Sequence, residues 1–225
     1  MTPNRRHPLI DPSRRRTARW QVSLLAAAAA AFLTPAVTPI SASAGSPSFD
    51  CAKVDSRAER TICGDHELSL LDRESARLYT LALKAAEPKQ AAAMKADAAG
   101  WKSARNECWL AQNTRGCIIA AYAKRIHRLL EKHEEVRQAE NTLARGPYVL
   151  KCRKIDQPVT ATLIESNPRV GAIEWRNAVH VGVADGDEFI EKSDYGASGV
   201  AFSIQGDRAQ LMLPDGRKFS CARER

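Results

Sequence analysis

Six cysteines, at positions 51, 63, 108, 117, 152 and 221, all lie downstream of a segment built like an export signal. That order constrains the fold more than any other feature. Arg14-Arg15-Arg16-Thr17-Ala18-Arg19 is basic, Trp20 to Ile40 is mostly apolar, and Ser41-Ala42-Ser43-Ala44 has the small-x-small form of a cleavage site. Pro35, Pro39 and the small-residue exit disfavour a membrane-spanning helix, which needs about 20 apolar residues. Cys51 follows Ser48-Phe49-Asp50, unlike the Leu-small-small-Cys at which a bacterial lipid anchor is attached. The segment 1–44 is therefore expected to be a signal peptide cut before Gly45. The mature chain is expected in the periplasm or outside the cell, without a stable membrane anchor. An even number of cysteines in an oxidising compartment predicts disulfides.

The hydrophobic period changes once along the mature chain. From Gly45 to about Glu140 apolar residues recur at helical spacing. Ser56-Arg57-Ala58-Glu59 has the form of a capping box, and Gly64 stands where a short helix would stop. A second helix from Asp65 to before Pro88 is striped by Leu68, Leu71, Leu78 and Ala82. A third over about 89–109 carries Met94, Ala98, Trp101 and Arg105. A fourth runs from about Cys117 towards Glu140, striped by Ile119, Tyr122, Ile126, Leu129, His133 and Val136. After Gly146-Pro147 the runs are short and β-branched: 148–152, 159–164, 170–175, 179–183, 198–204, 209–213 and 218–221. Asp185-Gly186-Asp187, Gln205-Gly206-Asp207 and Pro214-Asp215-Gly216 read as turns between strands. With no room for crossover helices, these strands must pair antiparallel.

The expected fold class is thus α+β in two domains. A small disulfide-stapled helical bundle occupies 45–145 and a small antiparallel β-barrel 146–225. Cys152 on the first strand and Cys221 on the last are placed to pair, which closes a loop worth roughly 4 kcal/mol in the chain-entropy model. Cys51, Cys63, Cys108 and Cys117 pair within the bundle, and three connectivities are open to them.

Charge and chemistry exclude several functions. The formal net charge of +8 comes largely from six arginines in the first 44 residues; without that segment 28 basic residues face 25 acidic ones. Such a balance makes no electrostatic case for nucleic acid. The cysteine spacings are not those of zinc or redox sites, and HExxH, GxSxG and phosphate-cradling loops are missing. His127 and His133 are out of helical phase with each other and read as solvated or partly packed. Asp72 with Glu74, two positions apart on a helix, do not face one point. The chain reads as a binding protein and not an enzyme, with neither metal nor cofactor.

Two stretches resemble known families. Phe49-Asp50-Cys51, Glu59-Arg60-Thr61-Ile62-Cys63, Leu71-Asp72-Arg73-Glu74 and Tyr79 are similar to the N-terminal module of the LprI family. So are Trp101, Arg105-Asn106, Cys108, Cys117, Tyr122 and Arg125-Ile126. That family is helical, cysteine-stapled and named after a mycobacterial lysozyme inhibitor. The second half resembles the MliC-type inhibitors of c-type lysozyme, eight-stranded barrels of the bacterial envelope. Tyr148, Cys152, Ala197-Ser198-Gly199, Gln205-Gly206-Asp207-Arg208-Ala209 and Cys221 carry that resemblance. It departs where the family has Ser (Gly196 here), Tyr (Phe202) and the inhibitory Lys (Gln205).

The resemblance implies a protein partner, c-type lysozyme, whose catalytic cleft is occluded so that the cell wall is protected. Ser198, Gly199, Gln205 and Gly206 are the implied contact residues, and Lys192 is the candidate for a replacement charge. A Ser and a Lys in the family meet the two cleft carboxylates; Gln205 keeps a donor but loses the charge-assisted contact, about twice as strong as a neutral one. This reading requires Ser198 and Gln205 to share one barrel rim. The alternative is an envelope binding module that keeps both folds without inhibiting. N-terminal sequencing of the exported protein should find Gly45 first, and alkylation without reductant should label no thiol.

Overall fold

Side-chain caps mark where the helices begin. The computed structural model describes residues 45–192 and 198–224, with Lys192 and Ser198 described at the backbone alone; the expected signal peptide lies outside them. A 3-10 turn, Cys51–Lys53, precedes α1 (Arg57–Gly64), whose Ser56 hydroxyl accepts from the Glu59 amide at 3.0 Å. Asp65 does double duty. Its amide closes α1 on the Ile62 carbonyl, and its carboxylate opens α2 (His66–Ala85) by accepting from the amides of Glu67 and Leu68. Proline in the first turn starts α3 (Pro88–Asn106), where a missing amide costs nothing. A second 3-10 turn (Glu107–Leu110) leads to α4 (Thr114–Lys132), capped by Asn113.

The expected long last helix stops at Lys132. His133 adopts an extended conformation, and a single turn, α5 (Glu134–Arg137), follows. Arg137 turns back to donate to the carbonyls of Leu130 and Glu131, which satisfies the end of α4, and the bend buries Val136 completely. Cys51 pairs with Cys63 and Cys108 with Cys117, which selects one of the three connectivities. Cys152 pairs with Cys221 as expected, and no cysteine is free.

Eight antiparallel strands close a barrel in simple chain order: β1 (Ala144–Cys152), β2 (Val159–Ile164), β3 (Val170–Trp175), β4 (Ala178–Asp185), β5 (Glu188–Lys192), β6 (Ser198–Gln205), β7 (Arg208–Met212) and β8 (Lys218–Arg223). β1 and β8 close it, with Cys152 directly opposite Cys221. β5 is the strand that the sequence pattern does not reveal: only Phe189 and Ile190 are apolar, and charged residues surround them. The Gly146-Pro147 pair lies inside β1, where pairing with β2 shifts register between Arg145 and Tyr148.

Alternation along the strands sorts residues between two cores. Leu150, Val159, Ala161, Ile173, Val200 and Leu211 fill the barrel with the stacked rings of Phe189 and Phe202, 5.1 Å apart. Gly171 makes room for those rings, because a Cβ there would stand 2.5 Å from Phe202 and 2.8 Å from Phe189. Ile164, Val170, Ala172 and Val181 instead join Ile118, Ile126 and Leu130 in the helical core. The helices and the barrel lie in one compact unit, with α4 resting on the outer face of β1 to β4.

Burial pushes the Asp65 carboxyl up, but Arg115 (Nε to Oδ2, 2.7 Å) and the two capped amides outweigh it and hold the carboxyl below its ordinary range. A lowered folded value gives stability that is full at neutral pH and lost as pH falls through it. Asp65→Ala should therefore cost about 1 kcal/mol at pH 7, a gap that narrows below about pH 4. Urea midpoints of both proteins between pH 7 and 3 measure it.

Candidate functional site

The residues implied as the contact site do not come together. β6 carries Ser198 at its first position and Gln205 at its last, so about 23 Å of extended chain lies between them. They stand on opposite rims of the barrel, which overturns the expectation of a shared rim. The strand read over 198–204 with its turn at Gln205 already sets the two residues at opposite ends, so a shared rim is incompatible with it.

At one rim the Gln205 amide donates to Asp187 Oδ2 at 3.1 Å, so the β6–β7 turn that includes Gly206 is tied to the β4–β5 turn. Asp185, Asp187, Glu188 and Asp207 make these two turns acidic. At the other rim Lys192, ending β5, is paired in register with Ser198, and their side chains lie outside the described residues. Gly199 sits here because a Cβ would stand 2.5 Å from the Glu191 carbonyl oxygen, so its role in the fold is close strand approach. The loops of this rim carry Arg153, Lys154, Arg176 and Arg217. Arg176 lies 4.5 Å over the Trp175 ring and Arg217 lies 5.9 Å from Phe219. Lys154, Trp175, Arg176, Arg217 and Phe219 line a shallow hollow there. Carboxylates thus outnumber cations in the turns of one rim, where Arg169 and Arg208 also stand, while the loops of the other hold four cations and two aromatic rings beside Asp156 and Asp215, the latter paired with Arg217 at 2.7 Å.

Four of the residues that carry the helical resemblance, Glu59, Asp72, Arg105 and Tyr122, form a buried network, while Asp50, Cys51 and Arg60 are exposed. Arg105 donates to Glu59 Oε1 at 3.0 Å and to the Tyr122 hydroxyl at 2.9 Å, and that hydroxyl donates to Asp72 Oδ1 at 2.7 Å. The Ser48 amide donates to the other Asp72 oxygen, and Lys102 pairs with Glu59. Burial and the Asp72 charge push the Tyr122 hydroxyl up; burial acts upward on Glu59 too, but Lys102 and Arg105 prevail and lower it. Asp72 and Glu74 diverge as helical spacing requires. Glu74 pairs with Arg77 and accepts from Thr142 and the Leu143 amide, which anchors the chain just before β1.

A third group lies where α4 meets the barrel. His127 is fully buried, a correction to its reading as solvated or partly packed, and its Nδ1 is 2.8 Å from Thr162 Oγ1. Burial pushes its pKa down to about 4 against the pull of Glu174. Glu131, one turn along α4, and Glu174 on β3 bring carboxylate oxygens to 3.4 and 3.5 Å from His127 Nε2. Among the described residues these three form the group able to hold a metal ion. The i, i+4 spacing of His127 and Glu131 was visible in the sequence; the arrival of Glu174 from β3 was not.

The chain is similar to Lipoprotein LprI of Mycobacterium tuberculosis (strain H37Rv) and of Mycobacterium bovis. Identity is 28% over 193 residues, covering 84% of this chain and 87% of the relative. A match of that length cannot lie within the helices or the barrel alone. No family model matches the sequence, and no solved structure matches it. The relatives are called lipoproteins, whereas here all six cysteines are in disulfides and none is left to carry a lipid. Among the described residues no helix is long and apolar enough to cross a membrane.

The network makes a stability prediction. Arg105→Leu takes the buried cation from between Glu59 and Asp72, which keep Lys102, Tyr122 and Ser48 as partners, and should cost about 3 kcal/mol. Tyr122→Phe, which removes one shared hydroxyl, should cost about 1–3 kcal/mol. Equilibrium urea unfolding of each variant reads both values.

Proposed function

We propose that this chain is an exported protein inhibitor of c-type lysozyme, acting by binding and occlusion with no chemistry of its own. The observation that carries the reading is the layout. A cysteine-stapled bundle, proposed as one module over 45–145, is followed by a closed eight-stranded barrel, proposed as a second over 146–225, and each resembles a family of lysozyme inhibitors. The similarity to Lipoprotein LprI, which runs through both parts, supports it. The disulfides suit a periplasmic or secreted protein.

Charge selects the face. A lysozyme cleft works through two carboxylates, and an inhibitor that enters it gains most from cations held at a rigid edge. The rim with Lys192, Ser198 and Gly199 also carries Arg176 and Arg217, each beside an aromatic ring, Arg217 with Asp215 at its Nε. Gln205 and Gly206 stand on the acidic rim, with the amide of Gln205 already engaged by Asp187. We assign the contact to the cationic rim and leave Gln205 a structural role in its turn.

The full chain should slow lysis of bacterial walls by c-type lysozyme. Arg176→Glu and Arg217→Glu should each weaken inhibition about tenfold at low salt and less at moderate salt, while Gln205→Lys should leave it unchanged. If the arginine variants inhibit like the wild type and Gln205→Lys tightens, the contact lies on the opposite rim. If the unaltered chain does not slow lysis, the protein is a non-inhibitory envelope binding module.

A further inference from the structure

The seam between α4 and the barrel holds an arrangement that no part of the inhibitor reading uses. His127 is fully buried, and its Nε2 is the buried side-chain nitrogen that lacks a hydrogen-bond partner. It faces Glu131 Oε1 at 3.4 Å and Glu174 Oε2 at 3.5 Å. A protonated Nε2 between two carboxylates is drawn to one of them at about 2.7–2.9 Å, the usual charge-assisted distance. A bare Nε2 lone pair facing two anions is repelled unless something positive stands between them. Arg128 Nη1 reaches both carboxylates, Glu131 Oε2 at 3.2 Å and Glu174 Oε2, and so holds them together, but it does not engage Nε2, whose lone pair still lacks a partner. Ligand atoms each about 2.0–2.1 Å from one tetrahedral cation lie about 3.3–3.4 Å apart, close to the two nitrogen–oxygen distances, and all three ligand atoms lie within 4.8 Å of one another.

The surroundings are arranged as a metal site needs. Thr162 Oγ1 engages the other ring nitrogen, which fixes the imidazole plane and aims Nε2 at the carboxylates. Thr160 donates to Glu131 Oε1 and Arg128 to Glu174 Oε2. Each donor uses one lone pair of its oxygen and leaves another for a cation. Arg128 offsets one of the two negative charges, so a divalent ion would still enter an anionic site. The carboxylate side chains are 19% and 14% exposed, so the site can be reached from solvent.

We propose that His127, Glu131 and Glu174 bind one divalent transition-metal cation of the zinc class, clamping α4 to β3 and so the bundle to the barrel. One imidazole and two carboxylates suit zinc better than calcium or magnesium, which take all-oxygen shells. This inference does not rest on lysozyme binding, and its test does not use lysis.

The test uses the tag-free full chain with its disulfides formed, stripped with a chelator and dialysed. Titration with Co²⁺ should give saturable visible absorption of a tetrahedral or five-coordinate ion at one equivalent, and Zn²⁺ should displace it. Saturating Zn²⁺ should raise the thermal midpoint by a few degrees, as any ligand of the folded state must. His127→Gln removes a fully buried ring and risks misfolding, so the deciding variants are Glu131→Gln and Glu174→Gln at the solvent edge. Each should weaken Zn²⁺ binding at least tenfold and lose the zinc-induced shift, while the metal-free protein still unfolds cooperatively. Absence of saturable one-to-one binding overturns the proposal. So does binding that survives unchanged in both glutamine variants, which would place the ion elsewhere, at His66 for example.

Discussion

The burial of α4 on two sides is the constraint on which the rest depends. Ile118, Ile126 and Leu130 lie in one apolar core with residues of α2 and of the barrel's outer face, while His127 and Glu131 meet strands of the barrel through polar groups. Apolar burial drives both contacts, but the barrel side removes water from polar groups that cannot then go unpaired. Thr162 answers His127, Thr160 answers Glu131, and Glu174 answers Arg128. Those pairings fix the rotation of α4 against the sheet, and the barrel's orientation follows from that.

Neither part has much core of its own, and each is reinforced differently. The helical part adds two short-loop disulfides and a buried network through Arg105, in which two carboxylates, a phenol and a guanidinium satisfy one another. Such a network adds little net stability over an apolar core, yet breaking it is costly. The barrel relies on closure, which removes exposed strand edges, and on the Cys152–Cys221 link between its first and last strands.

Function, on the reading proposed, follows from which rim a side chain reaches. Strands of a closed antiparallel barrel deliver alternate loops to opposite ends. Charge can therefore be segregated, with acid at the Gln205 turn and cations and aromatic rings at the end where β5 finishes and β6 begins. Two residues on one strand can share a family motif and still be unable to touch one partner surface together.

What the sequence determined by itself is local. The capping pair Ser56 and Glu59, the helix start near Asp65 and the short-range cysteine spacings act through neighbouring residues and appear where the pattern places them, and the change of period read after Gly146-Pro147 falls two residues earlier, at Ala144. The break at His133 escaped because helical periodicity continues through Val136, and only the pull of that side chain into the core bends the chain. β5 escaped because two apolar residues make no period, and its strand conformation comes from hydrogen bonds to β4 and β6. Periodicity records that a face is buried, never against what. The separation of Ser198 from Gln205 follows from the strand that the pattern places over 198–204, whereas the meeting of His127 with Glu174 was decided only when the barrel closed and α4 came down on it.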